Sequence, residues 1–177
     1  MGISHEISLN EIEVEIAKFI GKLRQESAEA FNRPNYKRDP RSDLEIHING
    51  FAAELAWCKA NNAYPDFNIV RDLTDVDAVD ICGRHVDIKH THYPTGKLLV
   101  LPHKTSNVDV YCLVVGKMPN YRIAGYMSAE DMRQPHRMMN LGYGQTYGAE
   151  QRDLYPSIQE AMNRKKYTLE DLRMKTG

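Results

Sequence analysis

The apolar positions of the chain change period along its length. Residues 8 to 29 place Leu9, Ile12, Ile16, Phe19, Ile20 and Leu23 at intervals of three and four, which predicts an amphipathic helix. Ser8 and Glu11 are spaced as its capping box. FNRPNYKRDPR (31 to 41) then breaks the pattern with two prolines. Ser42 and Glu45 form a second capping-box signature, and Leu44, Ile48, Phe51, Leu55 and Cys58 make the stripe of a helix that ends near Asn61-Asn62, before Pro65.

Beyond that point the period shortens to two, as strands require. FNIVRDL (67 to 73) predicts a first strand, and DAVDI (77 to 81) with RHVDIKHTH (84 to 92) predicts a hairpin closed across Cys82-Gly83. KLLVLP (97 to 102) is expected to continue the sheet. VDVYCLVVG (108 to 116) is apolar enough for a central strand buried on both faces. Met118-Pro119-Asn120 turns the chain into YRIAGYM (121 to 127), and Ser128 with Asp131 opens a short helix. Residues 134 to 152 look like loop, with Gly142, Gly144 and Gly148 among Tyr143 and Tyr147, and the tail from Ser157 looks helical in two pieces, the second starting at Thr168 and Asp171. This order predicts one α/β layered domain with a mixed, mostly antiparallel sheet flanked by helices. Its parts are an N-terminal helix and basic loop (1 to 42), a core (43 to 133), and a loop with C-terminal helices (134 to 177).

Composition narrows the function classes. The 177 residues are 42% hydrophobic and 27% charged, and 23 basic side chains nearly cancel 24 acidic ones. Such a balance gives no global attraction to nucleic acid, although a local basic surface opposed by acids elsewhere remains compatible with it. No apolar run reaches bilayer length, and the polar, acidic N-terminus is unlike a signal peptide, so no membrane partner is expected. Cys58, Cys82 and Cys112 lie in apolar contexts without a CxxC pair. They are expected to be buried, unbridged thiols in a reducing compartment, which suggests a cytoplasmic protein.

The chemistry concentrates in the hairpin. Asp87 and Lys89 stand two residues apart, hence on one face of a strand. Alone, such a pair is an ordinary solvated ion pair. Across the turn, however, DVDAVD supplies Asp75, Asp77 and Asp80. Carboxylates brought against Asp87 repel one another, and Lys89 offsets only one charge. A divalent cation would resolve this, and hard oxygen ligands suit Mg²⁺ or Mn²⁺. A two-residue turn would put Asp80 on the face of Asp87; a three-residue turn or a bulge would bring Asp77 there instead.

Asp77-Ala-Val followed by Gly83-Arg-His-Val-Asp87-Ile-Lys89 resembles the core of the PD-(D/E)xK nuclease superfamily, the restriction-endonuclease-like fold. Gly50-Phe-Ala-Ala-Glu54-Leu-Ala resembles the helix before that core, NVDVYCLVVG its central strand, and YRIAGYMSAEDM the strand and helix that follow, so the likeness spans roughly residues 44 to 133. The resemblance implies a Mg²⁺- or Mn²⁺-dependent nuclease acting on DNA rather than RNA by family habit. In it Asp77, Asp87, Glu54 and the Ile88 carbonyl hold metal, and Lys89 is the catalytic lysine. It favours Asp77 over Asp80, admits a homodimer, and leaves as rival a non-catalytic nucleic-acid- or protein-binding module with the same fold.

Other candidates stay secondary. Pro65-Asp66 is expected to make a turn. His90 and His92 share a strand face, the one away from Asp87 and Lys89, whereas His85 falls on the active face. Arg33, Lys37, Arg38 and Arg41 around Tyr36 suit either a solvated loop or a nucleic-acid backbone contact. Residues 136 to 152 suit a substrate loop but lack phosphate-loop spacing, and Arg164, Lys165 and Lys166 look like a solvated helix end.

Overall fold

The computed structural model describes residues 6–31, 42–70, 76–102, 107–142 and 144–163. The basic loop 32–41, residues 71–73 of the expected first strand, Asp75, Tyr143 and the tail from 164 on, with Arg164, Lys165 and Lys166, lie outside them.

A short strand, β1 (Glu6–Ser8), precedes the first helix, α1 (Glu11–Ala30). The capping box is two residues later than the Ser8–Glu11 expectation: the Asn10 side chain accepts from the Glu13 amide at 2.9 Å, and Glu13 accepts from the Asn10 amide at 2.7 Å. Ser8 is taken by the sheet instead, opposite Asn120. The buried face of α1 is Ala17, Ile20, Gly21, Arg24 and Gln25, while Ile12 and Phe19 are exposed. The expected stripe was therefore rotated, because Gly21 and Ala17 bury through close backbone approach rather than through size. A Cβ on Gly21 would lie 2.5 Å from the Ile48 Cα.

That approach seats α1 on α2 (Asp43–Ala60), which Ser42 and Glu45 cap as the spacing predicts. Every residue from Phe51 to Cys58 is buried. A helix apolar all round is enclosed, and α2 lies between α1 and the sheet. Its Cys58 carbonyl and Asn62, at φ 50°, turn the chain out of the helix. Residues 67–70 are not a strand, contrary to expectation: Asp66 accepts from the Asn68 amide at 2.9 Å, a turn that extended pairing cannot tolerate.

The main sheet holds β1, β2 (Ala78–Val79), β3 (His85–Thr91), β5 (Val110–Lys117) and β6 (Asn120–Ser128) in the order β1-β6-β5-β3-β2. Only β3 and β5 run parallel; the other pairs are antiparallel. As predicted, β5 is central and buried on both faces. Its Val110, Cys112 and Val114 join Val86, Ile88 and α2 in one core, and its Tyr111, Leu113 and Val115 join a second core with Met127 and Met132.

The strand β4 (Leu98–Val100) does not extend this sheet. It pairs with β8 (Gln145–Ala149), which pairs with β7 (Met138–Asn140), so that a three-stranded sheet stands where 134–152 suggested loop. Strands of three to five residues are too short to show alternation. Between them, Ser128 caps α3 (Ala129–Met132). Ser157 caps α4 (Ile158–Asn163), whose Ile158 and Ala161 close the first core. Cys82 is exposed at the hairpin tip, correcting the expectation that all three thiols are buried; Cys58 and Cys112 are.

Candidate active site at the edge of the sheet

The hairpin turn settles which aspartate faces which. Ala78 pairs with Val86 and Val79 with His85, and the Asp80 amide donates to the Arg84 carbonyl at 3.0 Å. The turn proper is thus Ile81-Cys82-Gly83, with Gly83 at φ 78°, a conformation that favours glycine. A three-residue turn puts Asp80 on the face away from Asp87, Lys89 and Tyr111, and leaves Asp77 just before β2, at the edge of the sheet.

Asp80 instead builds the turn. Its carboxylate accepts from the Cys82 amide (2.8 Å), the Arg84 amide (2.9 Å) and Arg84 Nε (2.7 Å). Burial pushes its carboxyl up, but these bonds and the Arg84 charge outweigh burial and hold it below the usual carboxylate range.

Asp77 ends the ladder. Its amide donates to the Val86 carbonyl at 3.1 Å, and its carboxylate Oδ2 accepts the Ile88 amide at 2.6 Å. A residue's N–H and C=O leave a strand toward the same side, so the Ile88 carbonyl also faces this edge, past the end of β2. Asp87 is buried and ion-paired with Lys89 Nζ. Burial pulls the Lys89 pKa down, yet the Asp87 and Asp77 charges, with the hydrogen bond to Asp87 and a contribution from Tyr111, carry it above the ordinary lysine value. Lys89 is a cation at neutral pH.

Glu54 is also buried, on the α2 side of the sheet, where Arg24 holds it: Nη1 donates to both carboxylate oxygens at 3.1 and 2.9 Å. Arg24 is fixed in turn by the Asp66 carbonyl (2.7 Å), the Asn68 carbonyl (3.2 Å) and the Phe51 ring, 4.7 Å from the guanidinium carbon. Cys58, one turn after Glu54, is pushed up to about 12 by burial and by the charges of Glu54, Asp77 and Asp66. The structure therefore brings Asp77, Asp87 and Lys89 together and ties Glu54 to Arg24. Among the described residues, no three His, Cys, Asp or Glu side chains form a ready-made metal cradle. Two carboxylates and an edge carbonyl still match the donor set of Mg²⁺, which keeps several waters and one or two protein carboxylates.

The histidines serve the scaffold. His85 Nδ1 lies 2.8 Å from the Asn107 carbonyl, His90 Nε2 lies 2.9 Å from the Gly116 carbonyl, and the His92 ring rests on Tyr93 at 3.9 Å between centroids. Pro65-Asp66 makes the turn that its sequence suggested. Three residues of this region had escaped notice. An arginine at helical spacing among buried Ala17, Ile20 and Gly21 was the available sign for Arg24; Tyr111 and Arg133 gave none, being an aromatic in an apolar strand and one arginine among many.

No family model, no curated protein and no solved structure gives a significant match to the chain. Among the described residues, no helix is long and apolar enough to cross a membrane.

Proposed function

We propose that the protein is a metal-dependent phosphodiester hydrolase of the restriction-endonuclease-like fold, acting on nucleic acid and on DNA in preference to RNA. The observation that carries this reading is the trio at the sheet edge: Asp77 on the Ile88 amide, flanked by the ion pair of Asp87 with Lys89. The helix α2 before the hairpin, the parallel β3–β5 pair and the β5–β6 hairpin support the fold assignment.

Asp77 and Asp87, with the Ile88 carbonyl, are the residues that would hold Mg²⁺ or Mn²⁺. When bound, such an ion acidifies an attacking water and neutralises a phosphate oxygen. The chain's own contribution is positional and electrostatic. Asp77 is oriented by the Ile88 amide and Asp87 by Lys89. Lys89, ion-paired to Asp87, is placed to orient water and to offset charge on the phosphate. Glu54 would join only by exchanging its Arg24 partner.

A second reading has one observation in its favour. Asp87 pairs with Lys89 and Glu54 with Arg24, so much of the acidic charge is matched within the chain, as in a non-catalytic binding module that keeps the fold. Incubation of the protein with labelled single- and double-stranded DNA and RNA, in Mg²⁺, Mn²⁺ or EDTA, separates the two. Metal-dependent cleavage is expected, with Lys89→Ala and Asp87→Ala slower by about 10²–10³-fold. Absence of cleavage on every substrate, or equal cleavage by the variants, would overturn the hydrolase.

A further inference from the structure

The second core ends on an arginine whose partner, among the described residues, is a neutral hydroxyl. Arg133 closes α3, whose first amide, that of Ala129, donates to the Asp109 carbonyl at 2.9 Å and so anchors the helix at the start of β5. From there Arg133 Nη2 donates to the Tyr111 hydroxyl at 2.9 Å, and its guanidinium carbon lies 5.9 Å from the Tyr111 ring centroid. Tyr111 is fully buried and pairs in register with Asp87, on the same face of the sheet, one strand over.

Four of the other five described arginines have a carboxylate partner. Arg24, Arg84, Arg137 and Arg152 pair with Glu54, Asp80, Asp153 and Glu150, and Arg122 donates to the Pro94 carbonyl and the Gln151 side chain. Among the described residues, Arg133 has a neutral hydroxyl and no carboxylate. A half-buried guanidinium has five donors in a planar fork, and one hydroxyl uses few of them. A fork of this kind, held by the hydroxyl of Tyr111 on the strand next to Asp87, matches a phosphate oxyanion.

We propose that Arg133 binds a backbone phosphate of the nucleic-acid strand, next to the one held at Asp77, Asp87 and Lys89, and that Tyr111 is its positioning residue. This rests on the hydrolase reading for the identity of the site, but its test does not require cleavage. Binding of a fluorescein-labelled DNA duplex, measured by anisotropy over a salt series in Ca²⁺, isolates the contact. Arg133→Gln is expected to weaken binding about tenfold and to reduce the slope of log K against log[salt] by about 0.9, the loss of one phosphate contact. Arg133→Lys should keep the slope, and Tyr111→Phe should weaken binding with the slope unchanged. Thermal melts of all three variants identify any that fail to fold; should Arg133→Gln be one, Arg133→Met is measured in its place, with the same loss of slope expected and a wild-type slope overturning the proposal. A wild-type slope and affinity in folded Arg133→Gln overturns the proposal while leaving the hydrolase intact. Loss of slope without cleavage by the wild type supports the contact and removes the hydrolase. No binding by the wild type overturns the phosphate contact and leaves the hydrolase to the cleavage assay.

Discussion

Replacing Arg24 by methionine takes the cation from Glu54, whose side chain is 11% exposed, and the donor from the carbonyls of Asp66 and Asn68. Removing one member of a buried ion pair costs about 3–5 kcal/mol, because the remaining charge stays desolvated. Methionine preserves part of the contact with Phe51, so about 4 kcal/mol is expected in urea unfolding followed by circular dichroism. For a domain of this size that is a fall of about 12 °C in Tm. The double variant Arg24→Met/Glu54→Met removes both charges and should regain about half of the loss, the remainder reflecting the two carbonyls left without their donor. An Arg24→Met variant within about 1 kcal/mol of wild type would refute the buried pair, since exposed pairs contribute no more than that. Repeating the melts in Mn²⁺ tests Glu54 as a metal ligand. If Glu54 belongs to the metal site, Mn²⁺ stabilises Arg24→Met more than wild type by standing in for the guanidinium; if Glu54 serves only Arg24, the two gains are equal.

Asp80→Ala should cost about 2 kcal/mol through its charge-assisted bonds to Cys82 and Arg84. Since the folded carboxyl titrates below its unfolded value, that gap is present from neutral pH down to about pH 4 and closes as acid protonates the folded carboxyl, which chemical unfolding at several pH values would reveal. Gly21→Ala forces α1 away from the Ile48 backbone and should lower stability by about 1–3 kcal/mol despite alanine's better helix propensity, with stabilisation in the melt as the contrary result. A thiol reagent should find Cys82 alone in the native protein, and Cys58 and Cys112 only after denaturation; a rapid second equivalent would contradict their burial.

The parts of the fold legible in the sequence are those where burial and period agree. β5 was clear because it is apolar on both faces, and α2 because its cap and its stripe coincide. The face of α1 was misjudged because burial there depends on Gly21 and Ala17, which period analysis underweights beside Ile12 and Phe19. The second sheet was missed because its strands pair across long separations, Leu98 with Ala149 for example, and each is too short to show alternation. At the site, strand parity alone placed Asp87 and Lys89 on one face, whereas the role of Glu54 turned on Arg24, a partner thirty residues distant that no local pattern reveals.

DVDAVD offers its aspartates as near equivalents, and the length of one turn separates them into different chemistries. With three residues in the turn, Asp80 is saturated by amides and a guanidinium and stays a carboxylate for the sake of the fold. Asp77 is left at the edge with Asp87 and Lys89, two acids against one base. That trio is net negative and by itself repels a phosphodiester. On the proposed function a divalent cation would reverse the sign, and Arg133, at the end of α3 and bonded to Tyr111, would add to the reversal. On the proposed function, then, nucleic acid and metal should bind this edge cooperatively: the carboxylates set the demand for the cation, and the cation with Lys89 and Arg133 makes the edge attractive to phosphate.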